Sequence, residues 1–224
     1  MYNNIVFDFD GVMVDSNHIR VEGFRTLYAS EAGEALEAFM QYVRMNCGLS
    51  RYRKIRYYYE HIQQRQVAPA VIERDAQRYS HIVEGAVANA PEIPGAVAFL
   101  ESNRYCYHFG LVSASDQNEL RGICRQRGID HYFDAILGSP EEKSANIGSL
   151  LRDLGWNRES TVYVGDSVND REAAGIAGID FIGFGRGNFS TGAQNHLTID
   201  SFEQLQRSLQ HGVEEWGISM RERR

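Results

Sequence analysis

The chain has 224 residues, is 43% hydrophobic and carries a formal net charge of −7. That length suits one large domain or a core with a smaller insert, and the apolar content excludes a disordered chain. The acidic balance excludes general nucleic-acid binding, which needs a basic footprint.

Three cysteines, Cys47, Cys106 and Cys124, show no metal-ligand spacing and read as the reduced thiols of a cytoplasmic protein. No apolar run is long enough to span a bilayer, so no membrane partner is expected. A strand begins too close to the amino terminus to leave room for a signal peptide.

In chain order, Ile5 to Phe9 is an apolar run of branched and aromatic residues interrupted by Asp8, which reads as a buried strand broken by Gly11. Asp8 and Asp10, two positions apart, point to the same side of that strand end. Charge is costly to bury, so two convergent carboxylates there make a site for a hard cation. About 75 residues of helical character follow. Leu36, Phe39, Met40 and Val43 recur at i, i+3, i+4 and i+7, as on an amphipathic helix. A second helix is expected near Ser50. A third follows Pro69, with Val71, Ile72, Tyr79, Ile82 and Val83 as its apolar positions. Pro91 and the Pro94-Gly95 pair close the region, and Pro94 is placed to open a helix through Val97 and Leu100.

Strands and helices then alternate. Tyr107 to Ala114 reads as a strand, and Asp116 with Glu119 has the spacing of a capping box for a helix that Gly128 closes. A short strand from Ala135 to Gly138 precedes a helix near Ala145 to Leu154. Thr161 to Gly165 is a further buried strand, with a helix ending near Gly178. Asp180 to Phe184 is the next strand, and Gly185-Arg186-Gly187 reads as a turn. An edge strand at His196 to Asp200, a helix from Phe202 and an Arg-rich tail at Arg221 to Arg224 complete the chain. Repeated β-α units predict an α/β fold, a Rossmann-like parallel sheet core. The helical stretch after the first strand reads as an inserted cap domain over 16–90, with 1–15 and 91–224 forming the core.

Chemistry-bearing residues fall at four strand ends. Asp166 and Asp170 follow the strand ending at Gly165, on the sheet edge that carries Asp8 and Asp10. Clustered carboxylates repel unless a cation or proton compensates, and an oxygen-only donor set favours Mg²⁺. Asp170 also suits the N-cap of the helix that follows. Ser113 supplies a hydroxyl at another strand end, where nearby backbone N–H groups would help to hold a phosphate. Lys143 lies in the loop after the short strand, where such a site needs positive charge. In the helical stretch, Arg51 and Lys54 stand among tyrosines, a setting suited to a small anionic or polyhydroxylated compound. The same residues also fit a solvated helix face with Tyr52, Ile55 and Tyr59 packed inward. His18 reads as a local hydrogen-bonding residue.

These motifs, in this order, resemble those of the haloacid dehalogenase-like superfamily: Asp8 and Asp10, then Ser113, then Lys143, then Asp166 with Asp170. The phosphoglycolate phosphatase and β-phosphoglucomutase group with a helical type 1 cap is the nearest likeness. Val12 and Ser144 depart from the residues many relatives carry, without removing an essential side chain.

The resemblance implies an Mg²⁺-dependent phosphatase acting on a small phosphorylated metabolite, as a monomer or homodimer. It makes Asp8 the nucleophile, Asp10 the proton donor and acceptor, and Ser113 and Lys143 the phosphoryl-holding groups. Gly11 and Ala114 join the substrate site, and Asp8, Asp10, Asp166 and Asp170 the metal site. Asp10 separates phosphatases from dehalogenase relatives, because a halide leaving group needs no proton. A sugar phosphomutase and a catalytically silent metabolite-binding protein are the alternatives. A signalling receiver domain shares the acidic cluster but has no helical insert of this size.

Overall fold

The structure, a computed structural model, describes residues 1–31, 33–185 and 196–211. Six strands form one parallel sheet: β1 (Asn4–Phe7), β2 (His108–Asp116), β3 (Ala135–Ser139), β4 (Thr161–Gly165), β5 (Asp180–Phe184) and β6 (Leu197–Ile199). Their spatial order is β3-β2-β1-β4-β5-β6. The chain therefore winds outward from β1 in both directions, and the crevice at that reversal is where open α/β sheets bind ligands.

All four residues of β1 are buried, as expected of a strand covered on both faces. β1 is shorter than the apolar run suggests and stops at Phe7, with Asp8 beyond it. Register then does the positioning. Phe7 pairs with Leu111 of β2 and with Val164 of β4, so Asp8, the Val112-Ser113 step and the Gly165-Asp166 step all emerge past one row.

Helices α5 (Ala96–Asn103), α6 (Gln117–Gln126), α7 (Lys143–Leu154), α8 (Val168–Ala177) and α9 (Phe202–His211) cover the sheet. Under one face, Phe7, Phe99, Phe109 and Phe202 form a tight aromatic group, with Phe7 and Phe109 ring centres 5.8 Å apart. Two helix starts differ from the sequence expectation. α5 begins at Ala96, because Gly95 (φ 87°) turns the chain in a left-handed conformation just before it. α7 begins at Lys143, because Glu142 is already extended at its cap.

Between β1 and β2 lie α1 (Asn17–Leu27), α2 (Glu34–Met45), α3 (Arg51–Tyr57), a π-helical turn at Tyr58–Ile62 and α4 (Pro69–Ala88). Leu36, Phe39, Met40 and Val43 are buried as their spacing predicts. Ser50 caps α3, and Pro69 opens α4 at its first turn. On α4, Tyr79 and Val83 point inward, whereas Ile82 is 36% exposed and does not belong to the apolar face.

Aromatic packing holds the helical cap together. Tyr28 stacks on Tyr58 with ring centres 3.8 Å apart, and Phe24 lies 4.2 Å from Tyr79. The buried carboxylate of Asp75 accepts the Tyr59 hydroxyl at 2.6 Å, which satisfies it inside this cluster.

The expected edge strand is β6 and the expected last helix is α9. Arg186, Gly187 and the Arg221 to Arg224 tail lie outside the described residues.

Candidate active site

The strand ends converge as their register requires. Carboxylate oxygens of Asp8, Asp166 and Asp170 lie within 4.8 Å of one another. Lys143 reaches into this group from the first turn of α7; it is buried, neither a loop residue nor a solvated surface charge. Its Nζ donates to Asp8 Oδ2 at 3.1 Å and to Asp170 Oδ1.

Asp170 is not the cap of α8. Ser167 is the cap, and Asp170 closes a capping box three residues on by accepting the Ser167 N–H at 3.0 Å. Asp166 accepts the Asn17 amide at 2.5 Å. Gly11 (φ 79°) lies against both partners: a Cβ there would come 2.1 Å from Asp166 and 2.3 Å from Asn17. Glycine is therefore required at this turn by both backbone and space. Ser113 is buried, and its hydroxyl accepts the Ser115 N–H at 3.2 Å.

Three carboxylates against one ammonium leave about two negative charges uncompensated. Burial, with the Asp170 charge beside it, pushes Asp166 up to about 7. Burial and Asp170 likewise outweigh Lys143 and raise Asp8 well above the ordinary carboxylate range. The donor set is hard oxygen only, and its charge deficit matches a divalent cation; these residues fit a metal of the Mg²⁺ kind.

A pH prediction follows for the metal-free protein. Asp166 has a folded value near 7 against an unfolded value near 3.8. The unfolded chain releases this proton first, so Asp166 should lower stability progressively from about pH 4 to about pH 7. Thermal melts in chelator across that window should show a falling midpoint that Asp166→Asn flattens. An identical slope in the variant would contradict the assignment.

Asp10 faces the other way, toward the cap. Its Oδ1 accepts the Ser16 hydroxyl at 2.5 Å and Arg20 Nε at 2.9 Å, and its Oδ2 accepts the Ser115 hydroxyl at 2.8 Å. Burial alone would raise this carboxyl, but Arg20 and the two hydroxyls outweigh it and hold Asp10 below its usual value. Arg20 also donates to Glu119, and Glu119 accepts Arg51 Nη1 at 2.7 Å. Glu119 therefore does not complete a capping box. Asp116 alone caps α6, while Glu119 bridges two guanidiniums.

Arg51 and Lys54, read as either substrate-facing or solvated, are in fact buried at the cap's inner edge. Both line a cavity of about 40 Å³ with Asp10, Asn17, Arg20 and Ser115. Ala114 borders it too, and also borders a neighbouring cavity beside Lys143. Further contacts draw cap and core together. Tyr52 donates to Asp116 at 3.0 Å, and a Cβ on Gly48 would come 2.3 Å from the Ser167 hydroxyl. His18 is exposed, 3.9 Å from Asp15. Arg20, Asn17, Ser115 and Glu119 are the site residues that sequence reasoning did not single out.

Comparison with known proteins agrees with this architecture. Residues 5–184 match the family model described as haloacid dehalogenase-like hydrolase. A curated phosphoglycolate phosphatase from Synechococcus elongatus is 23% identical over 186 residues, covering 78% of this chain and 80% of that protein. Among solved structures, β-phosphoglucomutase from Clostridium difficile superposes with a TM-score of 0.77 at 19% identity, covering 96% of this chain and 99% of that one. CbbY from Rhodobacter sphaeroides, solved with xylulose-(1,5)-bisphosphate, gives 0.74 at 21% identity, covering 92% and 96%.

The chain belongs to the haloacid dehalogenase-like hydrolase family. It is accordingly a hydrolase-family enzyme. Among the described residues, no helix is long and apolar enough to cross a membrane.

Proposed function

We propose that the chain is an Mg²⁺-dependent phosphatase that hydrolyses a small phosphate monoester, a sugar phosphate or a phosphoglycolate-like hydroxy acid, through an aspartyl-phosphate. The observation that carries this reading is the convergence of Asp8, Asp166, Asp170 and Lys143 at the sheet's switch point. Asp8, Asp166, Asp170 and the Asp10 backbone carbonyl would hold the metal. When bound, it would supply positive charge that lets an anionic phosphate approach a carboxylate.

The remaining chemistry belongs to the chain. An Asp8 carboxylate oxygen attacks phosphorus, and the bond from phosphorus to the leaving oxygen breaks. Once released from Arg20, which holds it ionised, Asp10 takes up a proton, gives it to that oxygen, and then takes one from the water that cleaves the aspartyl-phosphate. Lys143, already within 3.1 Å of Asp8, offsets phosphoryl charge, with Ser113 and the backbone at Gly11 and Ala114 as further holding groups.

Both Asp10 oxygens are engaged here, one of them by Arg20. The leaving oxygen reaches Asp10 only once that contact loosens. In this reading residues 16–90 act as a cap that swings from the 1–15 and 91–224 core. The ion pairs of Arg20 and Arg51 with Asp10 and Glu119 support this, since all but Glu119 line the cavity beside Asp10. Substrate choice lies in the cap, with Arg51 and Lys54 as the candidate reading residues. The three free thiols suit a cytoplasmic setting.

The test is phosphate release from a panel of phosphorylated sugars, hydroxy acids and nucleotides. Release should require Mg²⁺ and stop in chelator. Conversion of a sugar phosphate to its isomer without release would make the protein a mutase instead.

A further inference from the structure

The cations at the cap's inner edge are not equivalent. Arg51 already has a counter-ion: its Nη1 donates to Glu119 at 2.7 Å and to Ser80, and its guanidinium lies 4.8 Å from the centre of the Tyr79 ring. Arg20 is spent on Asp10, Glu119 and Ser115. Two arginines and two acids thus form a neutral ladder, Asp10-Arg20-Glu119-Arg51.

Lys54 stands outside that ladder. It is 5% exposed, and its Nζ donates to one acceptor, the Cys47 carbonyl at 2.9 Å. Among the described residues it has no carboxylate within ion-pair distance. Its other close neighbour is apolar, the Phe24 ring, centred 5.6 Å away. An ammonium has three donors, so two remain for a ligand in the cavity that Lys54 lines with Asp10.

Burial pushes Lys54 down to about 8, with Arg20 and Arg51 adding repulsion while Cys47 and Asp10 oppose it. A buried cation without a counter-ion is costly, and an anionic ligand group would remove that cost.

We infer that Lys54 is the specificity-determining residue of this site, pairing with a second anionic group on the substrate's leaving alcohol, and that Arg51 is a strut between cap and core. The inference rests on the phosphatase reading for the position of the scissile phosphate. The group is a carboxylate, which matches the one surplus positive charge, or a second phosphate, which more than offsets it. A neutral polyol does neither.

The experiment compares substrates that differ in this group. 3-Phosphoglycerate is set against glycerol 3-phosphate, and glucose 1,6-bisphosphate against glucose 1-phosphate; whichever pair shows the larger preference tells carboxylate from phosphate. Wild type should favour the doubly anionic member. Lys54→Met should lower kcat/KM for that member by about 10-fold to 100-fold, mainly through KM, and by clearly more than for the singly anionic member, so that the preference collapses. Lys54→Arg should keep the preference.

Calorimetric binding to the Asp8→Asn protein, with and without Lys54→Met, repeats the comparison without turnover. A Lys54-dependent binding preference with no phosphate release overturns the phosphatase reading and supports this one. Phosphate release with no preference in wild type, or equal losses on both members in Lys54→Met, overturns this one alone. Wild type and Lys54→Arg decide the matter if the Met variant does not fold.

Discussion

Asp8→Asn is expected to lower phosphate release by about 10⁴-fold or more while the protein stays folded. The loss is large because the substitution removes the attacking oxygen rather than a supporting contact. Folding should survive because Asn fills the same space and takes one charge out of a crowded acidic group, while Lys143 keeps its contact with Asp170. Two measurements decide it. A quenched reaction with radiolabelled substrate should leave a hydroxylamine-labile phosphate on the wild-type chain and none on the variant. The thermal midpoint without metal should be equal to or above that of wild type. A variant with more than a tenth of wild-type turnover would remove Asp8 from the nucleophile's role.

The second large effect concerns Arg20. Arg20→Met should destabilise the protein by about 3 kcal/mol, because it leaves the half-buried Asp10 without its cation and the buried Glu119 with Arg51 alone. Glu119→Gln alone leaves Arg51 and Arg20 facing each other across a neutral amide and should also destabilise. Combining the two should cost less than the sum, since each single change strands the partner that the other would have removed. Urea denaturation of the four proteins gives the coupling. An Arg20→Met change below about 1 kcal/mol would show that this ladder does not hold cap and core together.

The first strand and its partners are legible because their signal is local. An acid at the end of an apolar run is conspicuous, and parallel β-α units bring such ends to one edge by topology. Asp8, Asp10, Asp166 and Asp170 are legible in this way; Lys143 is singled out by its place in the motif order, and the helical insertion after β1 by its apolar periodicity. Lys143 was placed in a loop because nothing in Glu141-Glu142-Lys143 announces that Glu142 turns extended and starts the helix there.

Arg20 was not legible. It sits in a helix among ordinary polar residues, and its partner Glu119 lies 99 positions away. Glu119 had a good local explanation three residues after Asp116, and the tertiary contact overrode it. Burial of Arg51 and Lys54 was equally hidden, since long cationic side chains on a short helix normally reach water. Only the packing of α3 against α4 and β2 turns them inward.

The small cavity beneath the cap has a kinetic consequence. In the proposed reading, the Arg51-Glu119 and Arg20-Asp10 contacts part before substrate reaches Asp10. Association should therefore level off as ligand concentration rises, at a ceiling set by the opening rate rather than by diffusion. Moderate salt, by screening those ion pairs as they separate, should lift the ceiling.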